Sequence, residues 1–176
     1  LEFDLAEFEY FVKPSDWQEV FEYWKGEMDE FATMVGLSKE KLRWRRHAEE
    51  ELSHYSKRTE DMEYEFPWGF KEMFGLAYRT DFDLKNHMDK SGVDLRYTDP
   101  YTNEKYIPHV IEPSFGTDRA VLVILLDAYA EDTIDNEVRT VMRFNPKIAP
   151  IKAAIFPLMK KPELTEVAQQ IKSNLQ

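Results

Sequence analysis

Three glutamates are the residues best suited to chemistry, because each lies among apolar residues in a segment that has the pattern of a β-strand. Glu7 lies in DLAEFEYFV, Glu72 in FKEMFGLAYR and Glu112 in HVIEPSFG. A carboxylate in such a segment needs a cation or a hydrogen-bond donor as its partner, since burying it unpaired costs several kcal/mol. Each glutamate taken alone is better explained as an edge-strand residue that points to water. No periodicity joins the three into one site.

A second candidate is the segment VIEPSFGTDR, in which a strand passes directly into a helix. Gly116 allows a tight bend, Thr117 or Asp118 can cap the helix, and Arg119 lies in its first turn. An arginine at that position opposes the helix dipole. A phosphate in front of the helix would explain it, because guanidinium groups and helix N-termini both bind anions. A surface arginine paired with Asp118 or Asp127 explains the spacing equally well.

The composition describes an ordinary folded protein and excludes several kinds of site. The 176 residues suffice for one well-packed domain and part of a second. The absence of cysteine excludes disulfides and thiolate zinc sites, and it agrees with a cytoplasmic location. The longest apolar run, residues 120–126, is too short to cross a bilayer, and no secretory signal is visible. We therefore expect a soluble, cytoplasmic protein with no membrane partner.

The net charge of -11 is distributed unevenly along the chain. Residues 1–142 hold 17 Lys and Arg against 32 Asp and Glu, a net charge of -15, whereas residues 143–176 hold 6 against 2, a net charge of +4. A change of sign of this kind suggests two units with different partners. A solvated acidic domain followed by an ordinary basic helix explains the charge alone equally well.

The elements that must position these residues are strands with helices inserted between them. Residues 1–12 alternate as a strand, in which Phe3 and Glu7 share a face. A capping box of Ser15 and Gln18 predicts a helix directly after this strand. The later elements are an extended segment at 42–51, a short helix near 54–61, a hairpin turning at 67–69 with Phe70, Glu72 and Phe74 on one face, a helix from Thr80 to about Lys90, and a strand pair ending at Pro113.

The final third of the chain changes character. Residues 117–132 are apolar on nearly all faces and predict a buried helix. From about Asn145 the sequence predicts a buried strand, APIKAAIFPL, and an amphipathic helix with Pro162 near its start. One strand and one helix cannot close a core. We therefore expect an α+β domain in residues 1–144, and in residues 145–176 the first βα unit of a second, truncated domain.

Four segments resemble a known family. IPHVIEPSFGTDRAVLVIL resembles the third signature motif of class II aminoacyl-tRNA synthetases, in the form found in glycyl-tRNA synthetases. EFDLAEFEYFVKP is similar to the second strand of that family's second motif. HYSKRTEDMEYEFPWGFKEMFGLAYRTDFDLKNH is similar to the central sheet segment, and RFNPKIAPIKAAIFPLMKK to the entry of the anticodon-binding domain. The resemblance implies the antiparallel class II catalytic sheet with flanking helices, followed by the start of an α/β anticodon-binding domain.

The resemblance implies an amino-acid site. It places Glu7, Glu72 and Glu112 around the ammonium group of glycine, with Ser114 helping to fix the amino acid. An ammonium group offers three donors and no acceptor, so acceptor-only carboxylates suit it. For Glu112 a second role stays open, because some relatives of this class place a magnesium ligand at its position.

The resemblance also implies an ATP site. Phe3 matches the aromatic residue on which adenine stacks, and Glu72 and Met73 belong to the same site. The turn before the third helix supplies the remaining ATP-binding residues, with Arg119 on the terminal phosphates: Gly116, Thr117, Asp118 and Arg119.

The implied reaction is the ATP-dependent activation of glycine to glycyl-adenylate and its transfer to tRNA(Gly), with Mg²⁺, in an enzyme that is a homodimer when intact. The family's first motif and the front half of its second, which includes an arginine on the α-phosphate, are absent from the chain. Leu1 stands where the family usually has arginine. We expect the chain by itself to be inactive. A non-catalytic synthetase-like binding module is the alternative, and an unrelated acidic α+β domain is a third hypothesis.

Overall fold

A computed structural model describes residues 4–175 and has a mixed α+β fold. The strands are Leu5–Glu7 (β1), Tyr10–Val12 (β2), Leu42–Arg46 (β3), Arg58–Phe66 (β4), Gly69–Thr80 (β5), Tyr97–Thr98 (β6), Lys105–Tyr106 (β7), His109–Gly116 (β8), Tyr129–Ile134 (β9) and Glu137–Met142 (β10). The α-helices are Trp17–Met34 (α1), Phe82–Ser91 (α2), Thr117–Ala128 (α3) and Pro162–Asn174 (α4). The predicted combination of an antiparallel sheet with flanking helices is confirmed.

One antiparallel sheet organises the first part of the chain. Its strand order is β1-β8-β5-β4-β3, and β2 pairs with β8 beyond the end of β1. Helix α1 covers one face of this sheet, which we call the helix face. There Phe31 packs against Phe74 and Phe115, with ring centroids 5.9 and 5.6 Å apart, and Trp17 stacks on Tyr78 at 4.1 Å. The opposite face is therefore free to carry polar groups.

The helix face contains both an apolar core and a paired buried charge. Phe21 and Met28 of α1 are completely buried. Glu60 on β4 is only 4% exposed, and its carboxylate is 2.6 Å from both Lys25 and Arg58. A buried carboxylate held by two cations stabilises one arrangement of helix and sheet, because removing either partner leaves charge uncompensated.

Helix α3 is joined to the rest of the fold through Asp127, near its end. The Asp127 carboxylate accepts hydrogen bonds from the backbone N–H of Ser38 at 2.6 Å, from Lys41 Nζ at 2.6 Å and from the Tyr64 hydroxyl at 3.0 Å. Burial opposes ionisation, but these hydrogen bonds outweigh it and hold the pKa of Asp127 below its ordinary value. One side chain thus connects α3, β4 and the segment after α1.

Several element boundaries differ from the sequence-based expectations. The capping box at the start of α1 is wrong, because the Ser15 hydroxyl donates to Asp16 and no side chain caps the helix. The short helix near 54–61 is also wrong, since β4 begins at Arg58. Helix α2 ends as predicted at Gly92, which has the left-handed φ of 70° that glycine tolerates.

The prediction for residues 117–132 fails in two respects. Helix α3 ends at Ala128, and the chain continues into a two-stranded ribbon of β9 and β10. The helix is not buried on most faces, because Val121, Leu122 and Leu125 are 58%, 43% and 44% exposed. Within the described residues, none of the helices is long and apolar enough to span a bilayer.

The chain divides into two compact units, Leu1–Phe144 and Asn145–Gln176. The second unit contains α4, which begins at Pro162 as the sequence predicts. The predicted strand in APIKAAIFPL is wrong, because residues 151–157 adopt no regular structure and Phe156 is 84% exposed. A strand needs a neighbour for its backbone hydrogen bonds, and no neighbouring strand lies in the described part of this unit.

Candidate functional site

The pairing register places the predicted amino-acid residues on one face of the sheet. Directly opposed residues on neighbouring strands point to the same face. Glu7 lies opposite Ser114, and Ser114 lies opposite Gly75. Glu112 shares this face because it is two residues from Ser114 on the same strand. We call this surface the carboxylate face; it lies opposite the helix face.

Glu72 reaches the carboxylate face because β5 contains a β-bulge. Phe74 pairs with Met62, but Glu72 pairs with Glu63, so Met73 is an extra residue with no partner on β4. The bulge reverses the alternation along β5. Phe74 therefore points to the helix face, and the prediction that Glu72 and Phe74 share a face is wrong. Met73 is fully buried, so its side chain is not available to a ligand in this structure.

Glu112 is held by an arginine that sequence reasoning did not select. Arg79 Nη1 is 3.0 Å from both carboxylate oxygens of Glu112, and the same guanidinium contacts Asp83 at 2.8 and 3.0 Å. These contacts, above all the hydrogen bonds from Arg79, lower the pKa of Asp83. The guanidinium also lies 4.1 Å from the ring centroid of Tyr55. One cation is thus fixed between two carboxylates.

Glu9 adds a third carboxylate to this group. The register continues from Glu7 to Tyr10, because the Phe8 N–H donates to the Pro113 carbonyl at 3.0 Å, so Glu9 lies beside Glu112. Partial burial of the carboxyl, together with the charge of Glu112 and a hydrogen bond to it, raises the pKa of Glu9 to about 7. Part of the residue remains exposed. In the sequence, Glu9 could have been recognised because it lies two residues after Glu7, on the same face of the predicted strand.

The turn between β8 and α3 holds the predicted ATP-binding residues. Asp118 accepts a hydrogen bond from the Asp4 N–H at 3.0 Å, and the Thr117 hydroxyl donates to the Asp4 carbonyl at 2.7 Å. Arg119 folds back over Gly116, where a Cβ would lie 3.2 Å from Arg119 Cδ. Glycine therefore makes room for the arginine, and the turn is fixed to the chain just before β1.

Arg119 pairs with Glu72, and not with Asp118 or Asp127. Its Nη1 is 3.0 Å from Glu72 Oε1 and 3.2 Å from the Glu72 carbonyl oxygen. Both side chains are half exposed, so an exposed pair of this kind contributes little to stability and can exchange partners. The structure brings Glu72 and Arg119 together at the edge of the carboxylate face. Phe3, predicted to stack on adenine, lies outside the described residues.

The space above Gly75 is a notch that only glycine leaves open. A Cβ on Gly75 would lie 3.0 Å from Ser114 Oγ and 4.0 Å from Asp61 Oδ1. The Gly75→Ala variant should therefore displace the Ser114 hydroxyl and lose about 1 kcal/mol of unfolding free energy, the low end of the overpacking range, because a hydroxyl can rotate away. Urea unfolding measures this loss. Adding Ser114→Ala should recover most of it, and a double variant as unstable as Gly75→Ala would contradict the clash.

Comparison with known proteins gives the chain its family. No family model matches it. It is 51% identical over 170 residues to the glycine–tRNA ligase of Caldanaerobacter subterraneus subsp. tengcongensis, which covers 97% of this chain and 36% of the relative. The glycine–tRNA ligases of Clostridium acetobutylicum and Clostridium tetani are 51% and 54% identical over 99% and 91% of the chain, or 37% and 35% of their own lengths. The chain therefore belongs to the glycine–tRNA ligase family and spans little more than a third of the length of these relatives.

Proposed function

We propose that this chain carries the glycine site and part of the ATP site of a class II glycyl-tRNA synthetase. The observation that carries the proposal is the common face of Glu7, Glu72, Glu112 and Ser114, since three carboxylates and a hydroxyl on one surface are matched to a small ammonium-bearing substrate. In this proposal residues 1–144 are the rear part of the catalytic domain, and residues 145–176 begin the anticodon-binding domain.

The carboxylate face suits glycine for a steric reason as well. The notch above Gly75 is narrow, because Ser114 Oγ lies 3.0 Å from the position of a Cβ there. Glycine has no side chain that a protein could recognise, so in this proposal its selection depends on excluding a Cβ. Refusing a larger substrate by sterics discriminates well without a separate editing site. We therefore propose that this surface binds glycine and refuses larger amino acids.

Arg119 is the group suited to the phosphates of ATP. It extends from the first turn of α3, is half exposed, and is held by an exposed carboxylate that a phosphate can replace. In the proposed activation step the glycine carboxylate attacks the α-phosphorus, the bond to the bridging oxygen breaks, and pyrophosphate leaves. The protein contributes position and charge stabilisation: the carboxylate face orients the ammonium, and Arg119 holds the terminal phosphates.

Magnesium does not fit Glu112 in this arrangement. Both of its oxygens already accept hydrogen bonds from Arg79, and a guanidinium at 3.0 Å repels a divalent cation. In residues 4–175 no group of three or more His, Cys, Asp or Glu side chains is arranged to hold a metal ion. Of the two roles open for Glu112, we favour the ammonium, because a monovalent ammonium is repelled less than a divalent ion and each carboxylate oxygen keeps a second lone pair that can accept from it. Any Mg²⁺ would arrive with the phosphates of ATP, and no step here depends on it.

The remaining properties of the family enter the proposal through the relatives. Aminoacylation of tRNA(Gly), a homodimeric state and a cytoplasmic location are proposed for the protein to which these residues belong. The positive charge of residues 143–176 agrees with a tRNA partner for the second unit.

The proposal is tested by measuring glycine binding to the 176-residue chain by nuclear magnetic resonance. Glycine is expected to shift resonances of the carboxylate face, and alanine at the same concentration is not. Glu7→Gln should weaken glycine about 10-fold or more, as loss of a charged hydrogen bond does. Glu137→Gln, on the exposed ribbon, is the matched control. Equal responses to glycine and alanine, or none, would refute the amino-acid site.

A further inference from the structure

Asp61 is a buried carboxylate on the carboxylate face. It lies opposite Gly75 on β5, in the same row across the sheet as Ser114 and Glu7. Only 8% of the residue is exposed. In the sequence Asp61 stands between Glu60 and the buried aromatic and apolar residues of β4. Neither that position nor its charge indicated a role in binding.

The two oxygens of Asp61 face different groups. Oδ2 is 2.6 Å from His47 Nε2, which donates to it, and His47 is itself anchored by a backbone hydrogen bond to Thr59 at 3.0 Å. Oδ1 points to the notch above Gly75, 4.0 Å from the position of a Cβ, where Ser114 Oγ lies 3.0 Å from the same point. The notch therefore has a hydroxyl on one side and a carboxylate oxygen on the other.

The charge of Asp61 is incompletely matched within the described residues. Arg45 lies opposite it on β3, but the Arg45 guanidinium pairs with Glu51. In residues 4–175 the hydrogen bond to Asp61 comes from His47 and goes to Oδ2. A carboxylate this deeply buried is stable when both oxygens have donors. Oδ1 accepts no hydrogen bond from the described residues and is open to solvent, on the side where a small substrate would lie.

We propose that Asp61, oriented by His47, is a further binding residue for the amino group of the substrate. Its Oδ1 accepts a hydrogen bond from the ammonium above Gly75, while Ser114 and Glu7 approach the same group from the other side. This inference rests on the proposed function, because it assigns another contact to the same glycine site. It makes His47 a positioning residue, which acts through Asp61 and does not touch the substrate.

The arrangement gives Gly75 a double role. Its missing side chain leaves space for the substrate, and it also lets oxygens on β4 and β8 approach one another across β5. An ammonium group between them receives acceptors from both sides, as its three donors require. The sheet thus builds the site across four strands, β1, β8, β5 and β4, whereas the glutamates chosen from the sequence alone leave β4 without a part in it.

The test compares Asp61→Asn with wild type by resonance titration of the 176-residue chain with glycine and, separately, with ATP. Asparagine keeps the size and a hydrogen-bond acceptor but removes the charge. Glycine binding should weaken about 10- to 100-fold, the range for a hydrogen bond to a charged group, and ATP binding should stay within about 2-fold. In wild type the His47 ring resonances should shift when glycine is added. A purely structural role would leave them unmoved.

The control is Glu137→Gln, which removes one carboxylate charge from the exposed ribbon and should bind glycine as wild type does. If Asp61→Asn binds glycine as tightly as wild type, the inference is wrong while the proposed function stands. If neither wild type nor the control binds glycine, both are wrong. Should Asp61→Asn fail to fold, the wild-type titration decides, because a silent His47 ring also overturns the inference.

Discussion

Replacing Arg79 with methionine is expected to lower the free energy of unfolding by about 2 to 3 kcal/mol at pH 8, because a partly buried cation with two charged hydrogen-bonding partners is removed. The guanidinium is the cation between Glu112 and Asp83, and Glu9 lies beside them. Without it, three carboxyl groups repel one another and the Tyr55 ring loses its stacked partner. Urea unfolding followed by circular dichroism measures the change.

The destabilisation of Arg79→Met should depend on pH in a definite direction. Removing the cation raises the folded-state pKa of the neighbouring carboxyls, as the pKa of Glu9 is already raised to about 7. A raised folded-state pKa means that the folded protein binds more protons than the unfolded chain, so its stability increases as pH falls. The deficit relative to wild type should therefore shrink between pH 8 and pH 5. A deficit that stays constant or grows would contradict the repulsion.

The control for this experiment is Arg96→Met. Arg96 also pairs with an aspartate, Asp94 at 2.8 Å, but both side chains are half exposed. Exposed pairs contribute about 0 to 1 kcal/mol, so this variant should unfold at nearly the wild-type urea concentration. A similar loss in both variants would mean that Arg79 acts through something other than its buried partners.

Replacing Asp127 with alanine is expected to cost about 2 to 4 kcal/mol of unfolding free energy, because three hydrogen bonds to a buried charge are lost together. The contacts with Ser38, Lys41 and Tyr64 connect α3 to the sheet, and the Asp127 side chain is only 3% exposed. Asp89→Ala, an exposed position on α2, should change stability by no more than about 0.5 kcal/mol.

The contribution of Asp127 should also be lost in acid. Its pKa is below the ordinary value of 3.8 in the folded protein, so the unfolded chain takes up the proton first as pH falls. The stabilisation is fully present above that ordinary value and disappears as pH falls through the lowered folded-state pKa. Wild type and Asp127→Ala should therefore converge in stability below about pH 4. If they stay equally far apart at pH 3, the charge is not the source of the difference.

The sequence predicted the strands that carry Glu7, Glu72 and Glu112, but it could not predict how these strands pair. Alternation within one strand assigns residues to two faces and does not say which faces of different strands coincide. The observed pairing of the strands supplies that information, and it adds Arg79, Glu9 and Asp61 to the residues of the carboxylate face. Those residues carry no periodic signal of their own, because their importance comes from neighbours distant in sequence.

The failed predictions have a common physical cause: the surrounding fold decides whether a local sequence pattern is expressed. An apolar run such as residues 120–126 predicts burial only if the rest of the fold covers it, and in the described residues α3 leaves several of these side chains exposed. APIKAAIFPL has the composition of a strand, but no strand lies beside it in residues 145–175 of its own unit. Propensity for a strand is expressed only when the backbone finds a neighbour.

The bulge at Met73 has a consequence for protein engineering. The bulge adds one residue to β5, so the alternation of side chains between the two faces is reversed from one side of the bulge to the other. A chimera of this chain with another sequence can join the two within β5 only if residues 72–74 are transferred as one unit. A junction that keeps Met73 but pairs it regularly with Glu63, so that the bulge is lost, would turn Glu72 toward Phe31 and α1, leaving Arg119 without its carboxylate and placing an unpaired charge in the apolar layer.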